Sequence, residues 1–190
     1  DLGRISLPMK SLRDWLGLRT ADLDLAGARN AQAPSPLRDL VDSLDRLEPE
    51  RARYLARFAY LLGRVAHADR HVSPEETRAM ESLLREEGRL SEDQAVLVVG
   101  LAKTSNLLFG GTADFMVAQE FAESASEQEK VALVRCLFAI GAIDHSISMA
   151  EETEIHRIAN QLKIDPGDLT ALRVAHKRFL PGLTSRGGNP

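Results

Sequence analysis

A chain of 190 residues has room for one domain, or one domain with a tail, and can bury a sizeable core without disulfides. At 44% hydrophobic and 27% charged residues, the composition is neither that of a disordered tract nor that of a collagen-like repeat. The net charge of −4 argues against broad nucleic-acid or anionic-membrane binding, and the single Cys136 excludes an intramolecular disulfide scaffold.

No apolar run approaches the length of a membrane span, and the first residues lack the basic-then-apolar order of a signal peptide. A soluble protein of the reducing cytoplasm is expected. Residues 1–35 read as an extension. Within it Met9, Leu12, Trp15 and Leu16 share one face of a short amphipathic helix, and residues 26–36, small and polar with two prolines, read as a linker.

From residue 36 the apolar period is helical. Leu37, Leu40, Val41 and Leu44 predict a helix over 36–47. Glu48-Pro49 opens a second, striped by Leu55, Phe58, Ala59, Leu62, Val65 and Ala66. Ser73-Pro74 starts a third, carrying Met80, Leu83 and Leu84 to a stop at Gly88. Ser91 opens a fourth, whose run over 95–99 is apolar all round and suits a buried helix or a strand. Helix is preferred because no other strand exists for it to pair with. A fifth helix covers 113–123 after Gly110-Gly111. Ser126 opens a sixth through Val131, Leu133, Val134, Leu137, Phe138 and Ile140. Ser148 caps a seventh carrying Ile155, Ile158, Ala159 and Leu162, Asp165-Pro166 starts an eighth that ends near Phe179, and 181–190 is a disordered tail. The expected architecture is all-α, a seven- to eight-helix bundle over 36–180.

Two stretches repeat at an offset of 75 residues. Asp69, Val72, Ser73 and Glu76 correspond to Asp144, Ile147, Ser148 and Glu151, each set lying in a helix–acidic loop–helix hairpin. This points to one unit used twice about an approximate twofold axis. Ser-x-x-Glu is a capping box and explains the serines and glutamates without further function, while Glu75 and Glu152 favour the positive helix N-termini. The aspartates fall at the negative ends of the preceding helices, so loop N–H groups, a basic neighbour such as Arg70, or a bound cation must offset them.

At these residues the chain resembles the TerB tellurite-resistance family and the related N-terminal region of a membrane-anchored DnaJ-type co-chaperone. The resemblance runs through Ala66, Ala68 and Asp69 to Glu76, and through Ala142, Ile143 and Asp144 to Glu151, and it spans about 48–179. It implies a helical bundle whose acidic loops bind divalent cations, with Asp69, Glu76, Asp144 and Glu151 as ligands and Glu75, Glu152, His71 and His145 as further candidates. The glycine that follows the aspartate in the family is replaced by Arg70 and His145, which restricts positive φ and sets a cation beside the first loop. The second loop is therefore the better site.

A calcium ion takes six to eight oxygens, so two or three carboxylates from one hairpin would bind weakly, with water completing the shell. His67, His71 and His145 lie in or beside the loops and suggest zinc, but His-x-Asp-x-His is not an established spacing, so calcium or magnesium is preferred. No organic cofactor is expected. No zinc-protease, nucleophile-elbow, phosphate-loop or dinucleotide motif occurs, and a non-catalytic protein is expected. Tellurite is an oxyanion that acidic loops would repel, so any resistance role is indirect. A second reading makes the acidic hairpin face a metal-independent docking surface for a protein partner. In that reading the helix over 9–16 is either a tether or an extra element folded on the bundle.

Overall fold

The computed structural model describes residues 36–66, 73–105 and 113–180. They form eight α-helices, with no strand among the described residues: α1 Pro36–Asp45, α2 Pro49–Ala66, α3 Pro74–Glu86, α4 Glu92–Ser105, α5 Ala113–Ser124, α6 Glu127–Gly141, α7 Met149–Gln161 and α8 Pro166–Ala175, followed by a 3-10 turn at Lys177–Phe179. The extension over 1–35, the tail over 181–190 and the first acidic loop over 67–72 lie outside the described residues.

Helix starts follow from local chemistry. Ser73, Ser126 and Ser148 each accept from the backbone N–H three residues on, while Glu76, Glu129 and Glu151 reach back to the serine N–H, so α3, α6 and α7 all begin in capping boxes. Asp165 caps α8 by accepting from Gly167 N at 2.7 Å, and Pro166, whose missing N–H would be unpaired there anyway, fills the first helical position. Ser91 and Gln94 make the same reciprocal pair, more loosely, at the start of α4.

Two helices form the centre. In α2, Leu55, Phe58, Ala59, Leu61, Leu62 and Val65 are all buried, and in α6 Leu133, Val134, Leu137 and Phe138 are. Burying one such leucine or phenylalanine contributes about 1.5–3 kcal/mol. Tyr54, Phe58 and Phe121 join α2 to α5 through ring centroids 5.4 to 6.3 Å apart. Around this centre the packing is reciprocal: α3 lies on α6, and α7 lies on α2. Each hairpin's second helix thus rests on the first helix of the other.

The run over 95–99 is helical, but it is not enclosed on every side. Ala95, Leu97, Val98 and Val99 are buried in a helix on which α1, α2 and α3 all pack, whereas Val96 is 48% exposed. The last helix stops at Ala175 rather than near Phe179. The chain there tightens into the 3-10 turn, with His176 N and Phe179 N donating to carbonyls three residues back.

Candidate functional site

The second acidic loop is built by the end of α6 and the start of α7. After α6 the chain turns at 142–144, and His145 N donates to Ala142 O at 3.0 Å. His145 takes φ +66°, so the position where the resemblance leads one to expect glycine adopts the left-handed conformation even with histidine there. That backbone costs a non-glycine residue roughly 1 kcal/mol, and the stacking of the imidazole on Phe179, with centroids 6.3 Å apart, helps to offset it. Ile147 is buried, and its N–H donates to Phe179 O at 2.8 Å, which fastens the loop to the end of the described chain.

Asp144 is exposed, and its Oδ1 accepts from Ser146 N at 3.1 Å. This Asx turn is one of the offsets expected for an aspartate at a helix C-terminus. Glu151 Oε2 accepts from Ser148 N at 2.7 Å and Glu76 Oε2 from Ser73 N at 2.6 Å. Glu75 pairs with Arg78 on the exposed face of α3. Glu152 faces another way: it accepts from Arg173 Nε of α8 at 2.7 Å and lies 4.0 Å from His156. Asp69, His71 and His67 fall outside the described residues. Among the described residues no three His, Cys, Asp or Glu side chains gather as a metal site would require.

A second polar centre, without a sequence signal, sits among α2, α5 and α7. Arg64 of α2 is 8% exposed at its side chain, and its Nε and Nη2 both lie 2.6 Å from Glu154 Oε1 of α7. Its Nη1 donates to Gln161 Oε1 at 3.2 Å and to Asp114 O at 3.4 Å, and Asp114 Oδ2 is 4.0 Å from Nε. Tyr60 donates its hydroxyl to Asp114 Oδ1. Burial, followed by that bond to the carboxylate, pushes the Tyr60 phenol above its usual range. One turn earlier in α2, Arg57 donates to Glu120 Oε2 at 2.9 Å and to Ser124 Oγ at 3.2 Å. These arginines were hidden in the sequence because their partners lie 50 to 97 residues away.

Capped acidic hairpins around two central helices, cross-braced by buried arginines, define an all-helical module. The sequence model of the family described as tellurite resistance protein TerB matches residues 37–174, from α1 into α8, and the chain belongs to the TerB family. No curated protein and no solved structure matches it. Among the described residues no helix is long and apolar enough to cross a membrane.

Proposed function

We propose that the chain is a non-catalytic module in the tellurite-resistance and stress response, taking a divalent cation weakly through its two acidic hairpin loops. One observation carries this reading. Asp144, Glu151 and Glu76 each spend a single carboxylate oxygen on the backbone, and the second oxygen of each has no partner among the described residues. The capping role and a ligand role are therefore compatible in the same side chain. Two or three protein oxygens per hairpin give a calcium- or magnesium-type site completed by water, hence weak.

The experiment is thermal unfolding in EDTA and then in calcium, magnesium, manganese or zinc, for the wild type and for Asp69→Asn/Asp144→Asn. Asparagine keeps the Asx acceptor and removes the charge. A cation at a hundredfold its Kd adds about 2.7 kcal/mol of stability, a rise of roughly 5–10 °C in a chain of this size. The reading requires such a rise with at least one ion, lost in the variant. If no ion at millimolar concentration moves the wild-type midpoint, the cation is not part of the function. The second reading, a docking face for a protein partner, then stands. It is favoured by Met149, 72% exposed on the first turn of α7 directly behind the acidic loop.

A further inference from the structure

Beyond α8 the chain forms a short strap, residues 176–180, that lies against the second acidic loop. It begins just after residue 174, the last that the family model matches. Phe179 O accepts the Ile147 N–H at 2.8 Å, and the Phe179 ring stacks on His145 with centroids 6.3 Å apart. The other contacts of the strap lead into the bundle. His176 stacks on Phe138 of α6 at 5.5 Å, and its Nδ1 lies 2.9 Å from Leu172 O. Leu180, 1% exposed, anchors the far end in the core.

Two features of the loop depend on these contacts. Ile147 is 1% exposed, so its N–H has no water to turn to if Phe179 O departs, and a buried donor without an acceptor is costly. His145 sits at φ +66°, a conformation that a side chain disfavours, and the Phe179 ring offsets that cost. With the strap gone, both effects push the loop toward another conformation. The strap itself is lightly held. Leu180 is its only fully buried side chain, His176 and Phe179 are half-buried, and Lys177 and Arg178 are exposed. A segment with so few buried contacts opens at a lower free energy than the helices behind it.

From this we infer that residues 176–180 are a latch on the second acidic loop. Docked, the latch holds residue 145 left-handed and Ile147 in its buried place; released, it lets the loop rearrange while the eight helices stay folded. Asp144 and Glu151 flank Ile147 in the chain, so the latch sets the spacing of these two carboxylates from outside the loop. That consequence for a cation rests on the reading proposed above, whereas the latch does not, and measurement in EDTA keeps the two apart.

Amide hydrogen exchange and the HN–Hα coupling of residue 145, read by NMR on the full chain in EDTA, test it. The variants are Leu180→Asp, whose charge cannot remain in a buried place, and the milder Leu180→Ala. In the wild type the Ile147 and Phe179 amides should exchange together, about tenfold or more faster than the Leu62 amide of α2. In Leu180→Asp the Ile147 amide should lose a further factor of about ten in protection, and residue 145 should leave the left-handed region. Leu180→Ala should do the same to a smaller extent. Leu62 should stay protected in both. Lys163 is the internal control: it is left-handed at φ +58° after α7, where its own N–H and that of Ile164 bond back to Asn160 O and Ala159 O, so its coupling should not change. Three results would each overturn the inference: Ile147 exchanging at the Leu62 rate in the wild type, residue 145 remaining left-handed in Leu180→Asp, or loss of the whole fold in both variants. The first and third would make the strap an inseparable part of the core, and the second would mean that the loop holds itself.

Discussion

Removing Glu154 tests whether the buried Arg64 centre braces the bundle. Glu154→Ala leaves a guanidinium that is 8% exposed with Asp114 Oδ2 at 4.0 Å as its nearest remaining carboxylate. Breaking a buried pair by deleting one partner costs about 3–5 kcal/mol, because the other charge stays desolvated. Glu154 is itself 18% exposed and Asp114 remains nearby, which lowers the expectation to roughly 2–3 kcal/mol. Urea unfolding at pH 7 reads this directly, and the thermal midpoint should fall by about 5–10 °C. Arg64→Met/Glu154→Ala removes both charges, so it should cost clearly less than the two single changes together, with a coupling of about 1–2 kcal/mol. If Glu154→Ala lies within about 0.5 kcal/mol of the wild type, or the cycle is additive, the pair is spectator polarity and the bracing argument fails.

Cys136 is buried in α6, and burial, with Glu87 adding to it, pushes its thiol up to about 12 from an ordinary 9.0. The folded state therefore holds its proton longer than the unfolded one. Stability from this group is full below pH 9 and is lost as pH rises toward 12; in Cys136→Ala the alkaline decline should be shallower, by up to about 1.4 kcal/mol per pH unit. Urea midpoints between pH 8 and 11 check it, and an unchanged slope counts against it. Two glycines should respond differently to alanine. A Cβ at Gly88 would sit 2.7 Å from the Leu84 carbonyl oxygen and 3.3 Å from Cys136 Sγ, where backbone must move, so Gly88→Ala should cost about 1–3 kcal/mol. At Gly100 the obstacle is the Leu40 side-chain end at 2.8 Å, which can rotate, so Gly100→Ala should cost less by urea unfolding than Gly88→Ala.

The helices were legible because each signal is local. Ser73, Ser126 and Ser148 announce their starts through a glutamate three residues on, and the i, i+3, i+4 spacing of Leu55, Phe58, Ala59 and Leu62 announces which face is buried. What escaped is long-range. Arg57, Tyr60 and Arg64 fall between the apolar positions of α2 and look like its solvent side until α5 and α7 arrive to cover them. Glu152 looks like a loop ligand beside Glu151, and only the approach of Arg173 from α8 shows where its charge is taken up. The left-handed turn at His145 is likewise invisible, since glycine, its usual signal, is absent and the offsetting ring of Phe179 is 34 residues further along.

Because α3 rests on α6 and α7 on α2, the two halves of the chain are laced across one another. The second helix of each hairpin covers part of the other hairpin, so each half helps to bury the other. Cutting the connection between them, ahead of Ala113, should yield two fragments that assemble only when mixed.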